Sequence, residues 1–242
     1  GKGAKFISSK AAVPQNTTWL IYTPRVELFV GDEATLTYST IENWSKNMYN
    51  MNTKRCVVGK NGTINWVTGS FGSHTSCLYP MSILNGEGAH ANLQGTFAGK
   101  GQYLDTGSKV IHNAPNTTSN INSKSISKDG GVCIYRGSVV IGEKAEGAKS
   151  NVSCESLMLD EQSQSDTIPA IVIKNDNVDL GHEAKIGRIS DEAIFYLMTA
   201  ADEDEARAML VRGFVEPVSK ALPLEYAVEM NNLINLELKG SM

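Results

Sequence analysis

Two short stretches of this 242-residue sequence carry side chains able to bind iron. In "NVSCESLMLDE" Cys154 adjoins Glu155, and in "DLGHEAKIG" (Asp179–Gly187) His182 and Glu183 stand side by side. Thiolate, imidazole and carboxylate are all competent iron ligands, and thiolate is the preferred partner of iron–sulfur clusters. Cys154 and Glu183 are 29 residues apart. In a coiling chain that returns about once per that length, strands about 4.8 Å apart would make two such residues stacked neighbours. The competing reading is a buried structural cysteine and a polar join between two parts of a scaffold. Spacing alone leaves both open.

The remaining candidates are weaker. There is no P-loop, dinucleotide fingerprint, HExxH, GxSxG or EF-hand. Cys56, Cys77, Cys133 and Cys154 form no CxxC, and they are too few for a disulfide scaffold, so they are read as free thiols of a reducing compartment. His74 and Cys77 lie three apart in an expected strand and would face opposite ways. His90 reads as a loop residue, and His112 as an imidazole satisfied by neighbouring backbone groups. Five N-x-S/T sequons begin at Asn16, Asn43, Asn61, Asn116 and Asn151; with no secretory signal in view they read as turn chemistry.

These residues must be positioned by strands. Up to about residue 180, runs such as "WLIYTPRVELFV", "RCVVGKNGTINWV", "VCIYRGSVVIG" and "PAIVIKNDNV" are rich in Val, Ile, Thr and Tyr. Gly, Asn, Asp and Ser punctuate them, with a strong turn signal at Lys60–Gly62. Long helix-period runs are absent there, which excludes βαβ folds and leaves a sandwich, a barrel or a parallel β-helix. The polar segment Gly107–Lys128 favours the β-helix, whose short strands bury one face each and share one elongated core. A recurrence of about 20–25 residues fits a solenoid, although no strict motif repeats.

From residue 188 the period changes. Ser190 is an N-cap followed by Asp191 and Glu192, and Ala193, Ile194, Leu197 and Met198 make an apolar stripe. Asp202 starts a second helix expected to end near Gly213. Pro223 opens a third, with Tyr226, Met230, Leu233, Ile234 and Leu238 at three- and four-residue spacings. The expected division is a β region over 1–187 and a helical region over 188–242, the latter packed on the end of the β region or on a partner.

The formal charge of -4 gives no reason to expect nucleic acid. No run of 18 apolar residues exists, so no membrane helix is expected. The opening "GKGAKFISSKAA" has no apolar stretch behind it long enough for a signal peptide.

The ordered set "YSTIENWSKNMYNMNTKR" (Tyr38–Arg55), "DTGSKVIHNAPNTTSNINSKSIS" (Asp105–Ser127), "YRG" (Tyr135–Gly137), "HEA" (His182–Ala184), "IFYLM" (Ile194–Met198) and "GFVEPV…LPLEYA" (Gly213–Ala227) resembles one family. It is similar to the SUF-system iron–sulfur cluster assembly scaffolds, SufB and its paralogue SufD, and looks more like SufB. The resemblance implies a right-handed parallel β-helix followed by a small C-terminal helical domain. It also implies a non-catalytic scaffold that receives sulfur and iron and holds a transient iron–sulfur cluster at a subunit interface. The partners implied are a SufC-type ABC ATPase docked on the C-terminal helices, a SufD-type paralogue or a second copy paired through the β-helix, and a cysteine desulfurase or other sulfur donor.

On this resemblance Cys154 and Glu183 match proposed cluster ligands, and His182 is a third ligand or positions Glu183. Gln102 and Lys124 match polar positions of an inner sulfur route. The family's inner cysteine falls where this chain has Val58, and Cys56, on the same strand face, is the substitute candidate. "YLMTAAD" lacks the Arg–Gly common after that helix, and the usual N-terminal helical region is missing, as in a core fragment. The expected setting is a bacterial or archaeal cytoplasm, or a plastid. The alternative is a SufD-like structural partner with no cluster of its own. An extracellular polysaccharide-acting β-helix fits the strands but lacks both a secretion signal and a carboxylate cluster.

Overall fold

A computed structural model describes residues 3–12 and 19–238. The described strands, in chain order, are β1 (Gly3–Ala12), β2 (Leu20–Tyr22), β3 (Arg25–Val30), β4 (Thr35–Trp44), β5 (Met48–Val58), β6 (Thr63–Gly72), β7 (Thr75–Leu78) and β8 (Met81–Leu84). They continue with β9 (His90–Lys100), β10 (Tyr103–His112), β11 (Thr118–Lys128), β12 (Val132–Ile141), β13 (Ala148–Met158), β14 (Gln164–Ile173) and β15 (Val178–Arg188). Three helices follow: α1 (Asp191–Leu197), α2 (Glu203–Ser219) and α3 (Leu224–Leu238).

The strands form two all-parallel sheets, one running β1-β4-β6-β9-β11-β13-β15 and the other β14-β12-β10-β7-β5-β2, with β3 beside β5 and β8 beside β5 and β10. The chain passes from one sheet to the other and back, which is a parallel β-helix and not a sandwich. The coil is longer than the expected recurrence. Gly3 pairs with Thr35, Thr35 with Thr63, Thr63 with His90, Thr118 with Lys149 and Ala148 with Val178, so a turn takes 27 to 32 residues in this sheet. Variable coil length is why no strict motif repeats in the sequence.

Alternation fixes which side chains enter the core. In β13, Ala148, Ser150, Val152, Cys154 and Ser156 are buried while Lys149 and Asn151 are exposed. The interior is filled by Ile64, Trp66, Leu78, Leu84, Leu104, Ile121 and Ile141, all essentially inaccessible. Each contributes about 1.5–3 kcal/mol by leaving water. Two prolines divide strands of the second sheet: Pro24 separates β2 from β3, and Pro80 separates β7 from β8, because proline offers no ladder N–H. Asn61 and Asn116 adopt positive φ at coil corners, as their turn chemistry requires. The Asn43 and Asn151 sequons lie in strands, and the Asn16 sequon falls outside the described residues.

The Ser190 hydroxyl accepts from Ala193 N at 3.2 Å, and the Asp202 carboxylate accepts from Glu205 N at 2.9 Å, so both expected caps form. Helix α2 runs past Gly213 and includes Pro217. Val211, Val215 and Val218 continue its buried stripe across the glycine, and this burial outweighs the roughly 1 kcal/mol that an interior glycine costs. The helices lie on the flank of the β-helix and not on its end. Val211, Val215, Val218, Met230 and Ile234 form a second core with Ile41, Val67, Phe71 and Ile126, which project from the outer face of the first sheet.

Candidate functional site at the last coils

The register places Lys124, Cys154, His182 and Glu183 relative to one another. On the interior side, Gly95, Ser123, Cys154 and Ala184 stack, and beside them Leu93, Ile121, Val152 and His182. On the outer side, Gln94, Asn122, Ser153 and Glu183 stack, and Lys124, Glu155 and Lys185 form the adjacent column. The local turn is 30 residues long, not 29. Cys154 therefore stacks on Ala184, while Glu183 stacks on Ser153 and faces away from the thiol.

Cys154 is buried, and loss of solvent pushes its thiol up to about 12. Its interior neighbour across the coil is Tyr135, whose hydroxyl shares a hydrogen bond of 2.7 Å with Ser108. His182 is half-buried on the same interior side as Cys154, and its Nε2 is enclosed without a hydrogen-bond partner. Glu183 is exposed and pairs with Lys185 at 2.8 Å, which raises the Lys185 ammonium. Among the described residues, no three His, Cys, Asp or Glu side chains converge as a metal site. The chain alone thus brings Cys154 and His182 to one side of the last coils, with Glu183 on the other.

The three further candidates separate. Cys56 is fully buried on the interior face of β5, shared with Val58, and burial pushes its thiol up to about 12. Gln102 sits buried at the corner before β10, its Oε1 accepting from Lys100 N at 3.3 Å and its Nε2 unpartnered. Lys124 points outward from the interior; it pairs with Glu155 at 2.8 Å and lies 4.5 Å from the ring centre of Phe214 on α2. His74 stands ahead of β7 against the rings of Trp19 and Tyr49, and His90 opens strand β9 instead of lying in a loop. His112 is held by the Thr117 backbone, as expected, and also by two hydroxyls, Thr117 Oγ1 at 2.9 Å and Ser119 Oγ at 3.0 Å.

Sequence reasoning missed an ionic centre inside the first coils. Lys54 Nζ donates to Glu42 Oε1 at 2.8 Å, and Asn50 Nδ2 and Asn52 Nδ2 donate to the same carboxylate at 2.8 and 3.1 Å. Both charged side chains are all but inaccessible. Burial alone would raise the Glu42 carboxyl, but the Lys54 charge and the converging donors outweigh it and hold the carboxyl below its ordinary value. The signal was present in "NMYNMNTKRCVV": Asn50, Asn52 and Lys54 share the parity of Cys56 and Val58. Lys54 and Asn52 border a narrow internal cavity, roomy enough for about one water, that reaches Ser108, Ser123 and Tyr135. A polar seam thus runs inside the β-helix from Lys54 to the residues next to Cys154. On the outside, the quoted Asp105 and "YRG" motifs meet: Arg136 grips Asp105 through two hydrogen bonds of 2.8 and 2.9 Å, and Tyr79 donates to it at 2.6 Å.

Comparison with known proteins agrees with this architecture. Residues 1–214 match the family described as "SUF system FeS cluster assembly, SufBD core domain". The chain is 51% identical over 231 residues to an iron–sulfur cluster assembly SufBD family protein of Staphylococcus saprophyticus, covering 95% of this chain and 50% of that protein. It is 52% identical over 231 residues, with the same coverage, to one of Staphylococcus haemolyticus, and 51% identical to one of Staphylococcus aureus strain USA300. The chain spans about half the length of these curated relatives. Its stacked coils, its flanking helices and this likeness over nearly its whole length place the chain in the SufBD family of iron–sulfur cluster assembly proteins.

Proposed function

We propose that this chain is a β-helical subunit of the iron–sulfur cluster assembly machinery that works in the manner of a SufD-type partner, completing its last coil with a second β-helical subunit. The observation that carries this is the open end of the solenoid. Strands β14 and β15 are edge strands among the described residues, and Ile168, Ile171, Val172, Ile173 and Ile186 are exposed on them. An apolar, unpaired edge is a template for pairing with another chain. The helical layer, with Phe195, Tyr196 and Leu224 largely exposed, supplies the docking face for a SufC-type ATPase. A reducing compartment, cytoplasm or plastid, suits its four free cysteines.

A second reading has the chain itself hold the nascent cluster, SufB-like. The unpartnered Nε2 of His182, on the interior side shared with Cys154, favours it. In that reading Cys154, His182 and Glu183 become ligands once the partner rearranges the last coil, and Cys56 and Gln102 are the sulfur-receiving candidates.

One experiment separates the two. The full-length protein is purified anaerobically with its ATPase, its β-helical partner and a cysteine desulfurase, and cluster formation is followed by visible absorption. Under the partner reading, Cys154→Ser and Glu183→Gln mature clusters at the wild-type rate, whereas Ile171→Glu breaks the pairing and stops assembly. Loss of the cluster in Cys154→Ser, with complex and fold intact, would establish the second reading instead. No helix among the described residues is long and apolar enough to cross a membrane.

A further inference from the structure

Lys124, Glu155 and Lys185 stack in register on three consecutive strands, an outer column of alternating charge that ends beside Glu183. Its first member is tied to the helical layer. The Lys124 ammonium lies 4.5 Å from the ring centre of Phe214 on α2 and is nearly enclosed, while it pairs with Glu155 at 2.8 Å. Its last member pairs along its own strand, Lys185 to Glu183, at 2.8 Å. Lys185 thus has two carboxylates within reach: Glu155 directly across the ladder, about 4.8 Å away in strand spacing, and Glu183 two residues along.

We propose that Lys124 is a positioning residue for Glu183: by holding Glu155 it leaves Lys185 to Glu183, so that movement of α2 is felt at the last coil as a change of counter-ion. The enclosed pair is the stronger link, because weak solvent screening strengthens the attraction of Lys124 for Glu155 and the Phe214 ring faces the cation. The Lys185–Glu183 pair is exposed on both sides, and such a pair is worth little and is easily exchanged. The column is therefore stiff at the helix end and labile at the Glu183 end. When α2 shifts and Phe214 leaves Lys124, the Lys124–Glu155 pair opens to solvent, its attraction is screened, and Glu155 competes for Lys185. Glu183 is then released as a free carboxylate beside the edge strand. The functional weight of this relay rests on the second reading above, in which Glu183 serves the assembly site.

The test is carboxyl footprinting of the full-length protein with a carbodiimide and a small amine, read by peptide mass spectrometry. Exposed Asp179, on the same strand as Glu183, serves as internal reference. In Lys124→Met, Glu183 is expected to label about twofold faster, as an exposed pair of this kind permits, with Asp179 unchanged. Phe214→Leu should move Glu183 in the same direction by less. In a Glu155→Gln background, Lys124→Met should leave Glu183 labelling where it was, because the competitor for Lys185 is gone. Unchanged labelling in Lys124→Met overturns the relay. So does an increase that persists with Glu155→Gln, or one shared equally by Asp179, since each reports general loosening. If instead Glu183→Gln matures clusters normally while the footprint behaves as expected, the relay stands and the ligand role of Glu183 falls.

Discussion

Cys154 and Glu183 lie on adjacent strands of one sheet but on opposite faces of it, because the coil that joins them is one residue longer than their separation. Reversing one residue of register reverses the face of every side chain in a strand. The thiol is sealed in the core and the carboxylate stands in solvent beside Lys185. Any chemistry that uses both must draw on a partner chain or on rearrangement of the last coil.

The sealed interior makes a direct prediction for thiol chemistry. Burial pushes Cys56, Cys133 and Cys154 up to about 12, so almost no thiolate exists near neutral pH, and access needs local opening. Cys77 is the half-buried one, beside Asp105 and Arg136. A chromogenic disulfide reagent at pH 7.5 is expected to titrate Cys77 first, with the other three reacting only at the rate of opening. All four should react at once in denaturant. Peptide mapping that finds Cys154 labelled as fast as Cys77 in the isolated native chain would contradict the interior placement.

The Glu42–Lys54 pair predicts an asymmetry between single and double substitutions. Lys54→Met strands a buried carboxylate among donors that only partly satisfy it, and breaking a buried pair in this way costs about 3–5 kcal/mol. The double variant Glu42→Leu with Lys54→Met removes both charges, and most of that loss should return. Urea midpoints for the two singles and the double measure it. Equal destabilisation by the double and by Lys54→Met would mean that the Asn50 and Asn52 contacts, and not charge balance, hold this centre together.

Much of the fold could be read from the chain, and the reasons it could be read also mark where reading stopped. Period-two runs with Asn and Gly corners favoured a β-helix that the family resemblance then selected over a sandwich, and Ser190 and Asp202 announced their helices, because caps and alternation are local. The end of α2 was not local. Val215 and Val218 are helical because Ile41 and Phe71, far earlier in the chain, offer them a surface to cover. The site divides the same way. Cys154 and His182 were found by residue type, but which face Glu183 occupies depends on a corner of variable length. Lys124 faces outward by alternation, but its enclosure depends on Phe214, ninety residues on. Glu42 was passed over because a glutamate in a strand ordinarily faces water, and only the parity of Lys54 in β5 hints otherwise.

Close packing between coils makes two glycine substitutions diverge. A Cβ at Gly107 would come within 2.2 Å of the Arg136 carbonyl oxygen and 3.1 Å of the Tyr79 ring. Gly107→Ala must push apart strands β10 and β12, and with them the Asp105–Arg136–Tyr79 cluster, so a loss of about 3 kcal/mol or more is expected. Gly187→Ala meets nothing within 4 Å and should be neutral or slightly stabilising. Thermal unfolding of the two variants side by side provides the comparison; similar melting temperatures would argue against the close approach at Gly107.

His112 gives the fold a pH dependence whose sign can be worked out. Burial lowers the imidazole from about 6.5 to about 4, more than the Thr117 contact raises it. The folded chain therefore keeps His112 neutral where the unfolded chain would take up a proton. Stability from this residue is complete above about pH 6.5 and falls as pH drops from there towards 4, by roughly 3 kcal/mol in all. Glu42 acts lower: its depressed carboxyl contributes stability above its ordinary value near 4.5, which is lost as pH falls through the folded value. Urea midpoints at pH 7.5, 6.0, 5.0 and 4.5 should fall steadily in the wild type. His112→Gln should lower the midpoint at pH 7.5 yet flatten the decline between 6.5 and 4.5, since it leaves no imidazole to titrate. A wild-type slope that survives intact in His112→Gln would assign the pH dependence to another group.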